Sequence, residues 1–103
     1  MAEPYYAPNR DAFICPNVAL PVAGAPVQMP YIEIPDGMSL VVKSHPANGG
    51  LIYIGATRPQ SQNVVTAWPL VANEAIAYRV KNANSVWVTP QFANEIVCMT
   101  VEQ

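Results

Sequence analysis

The chain has 103 residues, 51% of them hydrophobic and only 12% charged, with seven acidic and five basic side chains and a formal charge of −2. That charged share is about half the share in an ordinary soluble domain. A chain this short still exposes much of its area, so its surface is expected to be partly covered by other protein. The length fits one domain with one core, and the basic residues Arg10, Lys43, Arg58, Arg79 and Lys81 are too scattered to offer nucleic acid a positive patch.

Residues 1–17 hold three prolines together with Tyr5, Tyr6 and Phe13, but no apolar alternation. They read as an extended N-terminal arm, and the aromatic side chains argue against a disordered tail. Glu3 and the lack of a basic region before an apolar core argue against a secretory signal, so synthesis in the cytoplasm is the expectation. Residues 12–32 carry no charge and reach the length of a membrane span. Four prolines (Pro16, Pro21, Pro26, Pro30) would each cost a helix interior about 3 kcal/mol, so the stretch is extended chain and no membrane partner is expected.

Residues 18–103 read as the folded domain. Val18–Val22 and Pro26–Met29 are proline-flanked and suit edge strands, since proline cannot donate to a central ladder. Ile34-Pro35-Asp36-Gly37 is a turn that feeds a strand over Ser39–Ser44. Asn48-Gly49-Gly50 predicts a hairpin joining Leu40-Val41-Val42-Lys43 to Leu51-Ile52-Tyr53-Ile54. Gly55–Asn63 reads as polar loop, followed by strands over Val64–Trp68 and Ala75–Val80 around a corner at Pro69–Glu74. Ile76, Tyr78 and Val80 alternate with Ala75, Ala77 and Arg79, the period of a half-buried strand. Asn82-Ala83-Asn84 turns the chain into Val86-Trp87-Val88, and Ile96–Val101, apolar on both faces, reads as a strand buried from both sides. About eight short antiparallel strands and no long helical window predict an all-β domain, a β-sandwich or jelly roll, with a small closed barrel as the alternative.

The chemistry of catalysis is sparse. One histidine, seven dispersed acids and two cysteines supply neither a nucleophile–base arrangement nor a zinc spacing, so neither an enzyme nor a metal or cofactor site is expected. His45 precedes Pro46 and reads as a turn histidine; an enzyme would need a cleft gathering it with Glu33 or Asp36. Cys15 and Cys98, near opposite ends, read as reduced buried thiols, although the spacing alone leaves a bridge open. Trp68, Trp87 and Tyr53 fit core or interface packing better than a sugar-stacking platform. Trp87 lies between two valines, so it points away from the core if they point into it, and leads the interface candidates in the domain.

The order of these motifs is distinctive: Leu20-Pro21-Val22 and Val27, Ile34-Pro35-Asp36-Gly37 before Leu40-Val41-Val42-Lys43, Asn48-Gly49 before Ile52-Tyr53-Ile54-Gly55, Pro69-Leu70 with Asn73-Glu74-Ala75-Ile76, and Asn84-Ser85-Val86-Trp87-Val88. Over residues 18–101 it resembles the small all-β structural proteins of tailed bacteriophage virions, with Asn73 standing where such sequences often have glycine before the acid. The resemblance implies a non-enzymatic virion protein, a capsid decoration or cement protein on the outer shell. Its implied partners are the major capsid protein and further copies of itself in a symmetric cluster such as a trimer. Tyr5, Tyr6, Phe13, Trp68 and Trp87 are then the expected protein-interface residues, the arm lying along a neighbouring subunit. The alternative is a receptor- or carbohydrate-binding module of a fibre or tail appendage.

Overall fold

A computed structural model describes residues 17–102. The arm residues Tyr5, Tyr6 and Phe13, and also Cys15, lie outside the described residues. Eight strands follow in order: β1 (Val18–Leu20), β2 (Val27–Gln28), β3 (Ser39–Ser44), β4 (Ile52–Gly55), β5 (Trp68–Leu70), β6 (Ala75–Tyr78), β7 (Trp87–Pro90) and β8 (Glu95–Glu102). A short helix α1 (Arg58–Gln62) separates β4 from β5, and a 3-10 turn (Ala83–Ser85) separates β6 from β7.

The strands form two antiparallel four-stranded sheets, ordered β1-β8-β3-β6 (sheet I) and β2-β7-β4-β5 (sheet II). The pairs β1·β8, β2·β7, β3·β6 and β4·β5 nest like the two arms of one long hairpin whose tip lies between β4 and β5. Rolling that ribbon up adds the β3·β8 and β4·β7 ladders and produces the sandwich known as a jelly roll. The proline-flanked strands β1 and β2 sit at sheet edges, where the prolines beside them interrupt no central ladder.

Alternation along each strand builds the core. Leu20, Leu40, Val42, Val97, Met99 and Val101 of sheet I face Ile52, Ile54, Leu70 and Val88 of sheet II, and all are buried. Each fully buried aliphatic side chain contributes about 1.5–3 kcal/mol. Met29, Ile34, Ala83 and Val86 complete the core.

The Asn48-Gly49-Gly50 segment does not close a hairpin. β3 pairs with β6 and β8 while β4 pairs with β5 and β7, so His45–Leu51 crosses from one sheet to the other. The reason is that the apolar faces of β3 and β4 bury each other across the sandwich, which strands side by side in one sheet cannot do. Side chains hold the corner. Asn48 Nδ2 donates to the Ile96 carbonyl (2.8 Å) and Ser44 Oγ (2.9 Å), and its Oδ1 accepts from the Ile96 N–H (2.8 Å). The buried Glu95 carboxylate accepts from the N–H groups of Gly49 (3.2 Å) and Gly50 (3.0 Å).

Three further expectations are corrected. The Gly55–Asn63 loop contains α1, started by Thr57, whose Oγ1 accepts from the Gln60 N–H (3.2 Å), with Pro59 in the first turn where its missing donor is harmless. Val64–Thr66 is a turn rather than a strand, because the Asn63 carbonyl accepts from Thr66 and Ala67 and its Oδ1 from the Val65 N–H. This local capture overrides the β-propensity of the two valines and leaves them exposed. Third, β8 is buried on one face only: Val97, Met99 and Val101 point inward, whereas Ile96, Cys98 and Thr100 point outward and are half-buried.

Candidate functional site

The two tryptophans of sheet II lie on opposite faces. Trp68 pairs with Ile54, whose side chain is in the core, and therefore points between the sheets. Trp87 pairs with Gly55 and points outward, half-buried, while its neighbours Val86 and Val88 are buried as the alternation requires. The outer face of sheet II is partly covered by α1. Ser61 is buried there, its hydroxyl 2.9 Å from Thr89 Oγ1, and the helix backbone rests on Gly55, where an added Cβ would lie 2.6 Å from the Ser61 nitrogen.

Trp68 stands at the mouth of an apolar groove of about 380 Å³. The groove opens where the edge strands β5 and β6 part, and Ile54, Trp68, Ile76, Tyr78 and Val80 form its walls. With only three and four residues, β5 and β6 are too short to close this side of the sandwich. Trp68 is consequently 56% exposed although it faces inward. Among the described residues no charged side chain lines the groove. Gln60 at its rim is already engaged, accepting from the Ala56 N–H (2.8 Å) and donating to the Thr66 carbonyl (3.4 Å). Partial burial here pushes the Tyr78 phenol pKa above its usual value. Val64 and Val65, 67% and 85% exposed, extend the apolar surface outward from the turn before β5.

A second apolar surface is the outer face of sheet I. Cross-strand registers place Ile96, Cys98 and Thr100 of β8 on one face with Val41 of β3 and Ala75 and Ala77 of β6; Lys43 lies within it, between Cys98 and Ala75, and Glu102 lies at one end beside Ser39. An antiparallel sheet with one solvated face ordinarily alternates apolar with polar residues; here the outward positions are mostly apolar, and among the described residues no layer covers them.

His45 sits in the β3–β4 corner, where Nδ1 accepts from the Ala47 N–H (3.0 Å). Glu33 and Asp36 precede β3 and His45 follows it, so a six-residue strand, rising about 3.3 Å per residue, separates them. The fold does not gather these groups. Among the described residues no cluster of three His, Cys, Asp or Glu side chains is positioned to hold a metal ion. No helix among them is long and apolar enough to cross a membrane.

Of the five residues singled out from sequence, Trp68 and Trp87 are placed in the sandwich and are not brought together, since they occupy opposite faces of one sheet. The groove partners Ile54, Thr66 and Tyr78 were not foreseen as a site. The alternation of Ile76, Tyr78 and Val80 marks an inward face, but its opening to solvent depends on β6 being an edge, which no local pattern encodes. A scan against protein-family models and searches of curated proteins and of solved structures found no match to this chain.

Proposed function

We propose that this chain is a non-enzymatic virion structural protein, a capsid decoration or cement protein that binds the outer shell of a tailed-phage head in many copies and stabilises it. The observation that carries this reading is the outer face of sheet I, where Val41, Ala75, Ala77, Ile96 and Cys98 leave Lys43 and Glu102 as the charged side chains that β3, β6 and β8 present there, on a sandwich with only twelve charged residues in the whole chain. Such a face is suited to burial against the major capsid protein or further copies, where each copy adds a modest interface and the lattice multiplies it. The groove at Trp68 and the outward Trp87 offer aromatic anchors of the type that dominate interface energetics.

A second reading, a carbohydrate-binding module of a fibre or tail appendage, has one observation in its favour: Trp68 presents an exposed aromatic side chain beside a groove. Three measurements separate the two. Quantitative mass spectrometry of intact virions is expected to find the chain in many copies per head, and heads stripped of it are expected to rupture at lower temperature. A chain absent from particles overturns the decoration reading. Retention on a glycan array, lost on Trp68→Ala, would establish the alternative.

A further inference from the structure

Among the described residues four strands form the edges of the two sheets, and three are guarded by proline: β1 by Pro21, β2 by Pro26 and Pro30, and β5 by Pro69 within it. Proline on or beside an edge is one of the devices that prevent a further strand from adding. β6 has none inside or next to it, and its sequence Ala75-Ile76-Ala77-Tyr78 carries no charge. This proline-free edge, with Glu74 and Arg79 just beyond its ends, is also the wall of the apolar groove, through Ile76 and Tyr78. A strand added to β6 would therefore satisfy its free N–H and C=O groups and place alternate side chains over an opening of about 380 Å³.

The chain contains one segment outside the described residues that suits this edge. Residues 9–15 (NRDAFIC) are a proline-free run of seven between Pro8 and Pro16. As a strand the run offers Phe13 and Cys15 with Asn9 and Asp11 on one face and Ala12 and Ile14 with Arg10 on the other, so in either register its C-terminal half directs apolar groups to the groove. Its Cys15 end cannot reach the β6 edge of its own chain, so the run cannot pair there along its whole length. A strand beyond β6 lies four interstrand spacings from β1, about 19 Å, whereas the three Cα steps from Cys15 to Val18 extend at most about 11 Å. We propose that residues 9–15 of one copy add as a fifth strand to β6 of a neighbouring copy, seating an apolar side chain beside Trp68 and Tyr78. Because the arm leaves from the β1 edge and docks at the β6 edge, the contact is head-to-tail and closes into a ring when the rotation between copies allows it.

The test uses the full chain in solution and does not depend on the virion reading: an arm-exchanged oligomer absent from particles would overturn the proposed function and leave this inference standing. Light scattering after size exclusion is expected to give a closed oligomer. The double substitution F13D/I14D, outside the sandwich, and Ile76→Lys, at the receiving edge, are each expected to weaken self-association roughly 100-fold. In a Trp87→Phe background, F13D/I14D is also expected to shift Trp68 emission to the red as the groove opens, a readout available even if Ile76→Lys fails to fold. A full chain that stays monomeric at high concentration would overturn the proposal. So would an oligomer that survives F13D/I14D, which would point to direct pairing of β6 with its counterpart, or unchanged Trp68 emission.

Discussion

Single residues decide the corners of this fold. Glu95 is a carboxylate only 5% exposed, each oxygen accepting one backbone N–H, from Gly49 and from Gly50. Glutamine offers one acceptor and sets its own NH2 against the other N–H. Glu95→Gln is therefore expected to cost about 1–3 kcal/mol, read as a lower denaturant midpoint at unchanged slope. Asn73 has φ +71° and stands where the resemblance leads one to expect glycine. Asparagine tolerates the left-handed region better than other side chains with a Cβ. Asn73→Gly should change the melting temperature little, whereas Asn73→Ala should cost about 1 kcal/mol. In calorimetry, equal melting temperatures for the two variants would show that the left-handed turn does not constrain this corner.

At the scale of elements, α1 shows how a five-residue helix that cannot persist alone is held in place. Its N-cap is Thr57, its buried hydroxyl Ser61 meets Thr89, and its backbone reaches the sheet because Gly55 has no side chain. Gly55→Ala sets a methyl group 2.6 Å from the Ser61 nitrogen and 2.9 Å from the Gln60 carbonyl carbon, both backbone atoms that cannot swing aside. The expected cost is about 1–3 kcal/mol, with faster hydrogen exchange confined to residues 57–63. Faster exchange spread evenly over the sandwich would show that α1 is not an independent layer. The strands were more legible than this helix. Ser39–Ser44 and the inward face of Ile76 and Tyr78 follow from period-two alternation, whereas Asn48-Gly49-Gly50 predicts a β3–β4 hairpin that does not form, because a Gly-rich turn reverses the chain within a sheet or between sheets equally well.

For the whole molecule, the open side between β5 and β6 connects stability with pH. Burial raises the folded-state pKa of Tyr78 above the unfolded value, so the neutral phenol is favoured in the native sandwich. Its contribution is fully present below the unfolded pKa of about 10 and is lost as pH rises through the folded value. Stability is expected to fall in that alkaline window, and the fall should be shallower in Tyr78→Phe; superimposable curves for the two proteins would show that Tyr78 is not the group responsible. A strand covering the groove deepens the burial and should move the phenol titration further upward.

Composition and alternation by themselves determined the class of fold, because a proline-dense, β-branched chain excludes long helices and period-two runs require two facing apolar layers. They also marked β1 and β2 as edges, since proline's missing donor is a local property. Only the tertiary structure decided which strands share a sheet, that a buried glutamate fastens the central corner, and that Trp68 looks into a groove while Trp87 looks out. These depend on contacts between residues tens of positions apart, and pairing at that separation is set by the rolled topology of the ribbon rather than by any window of sequence.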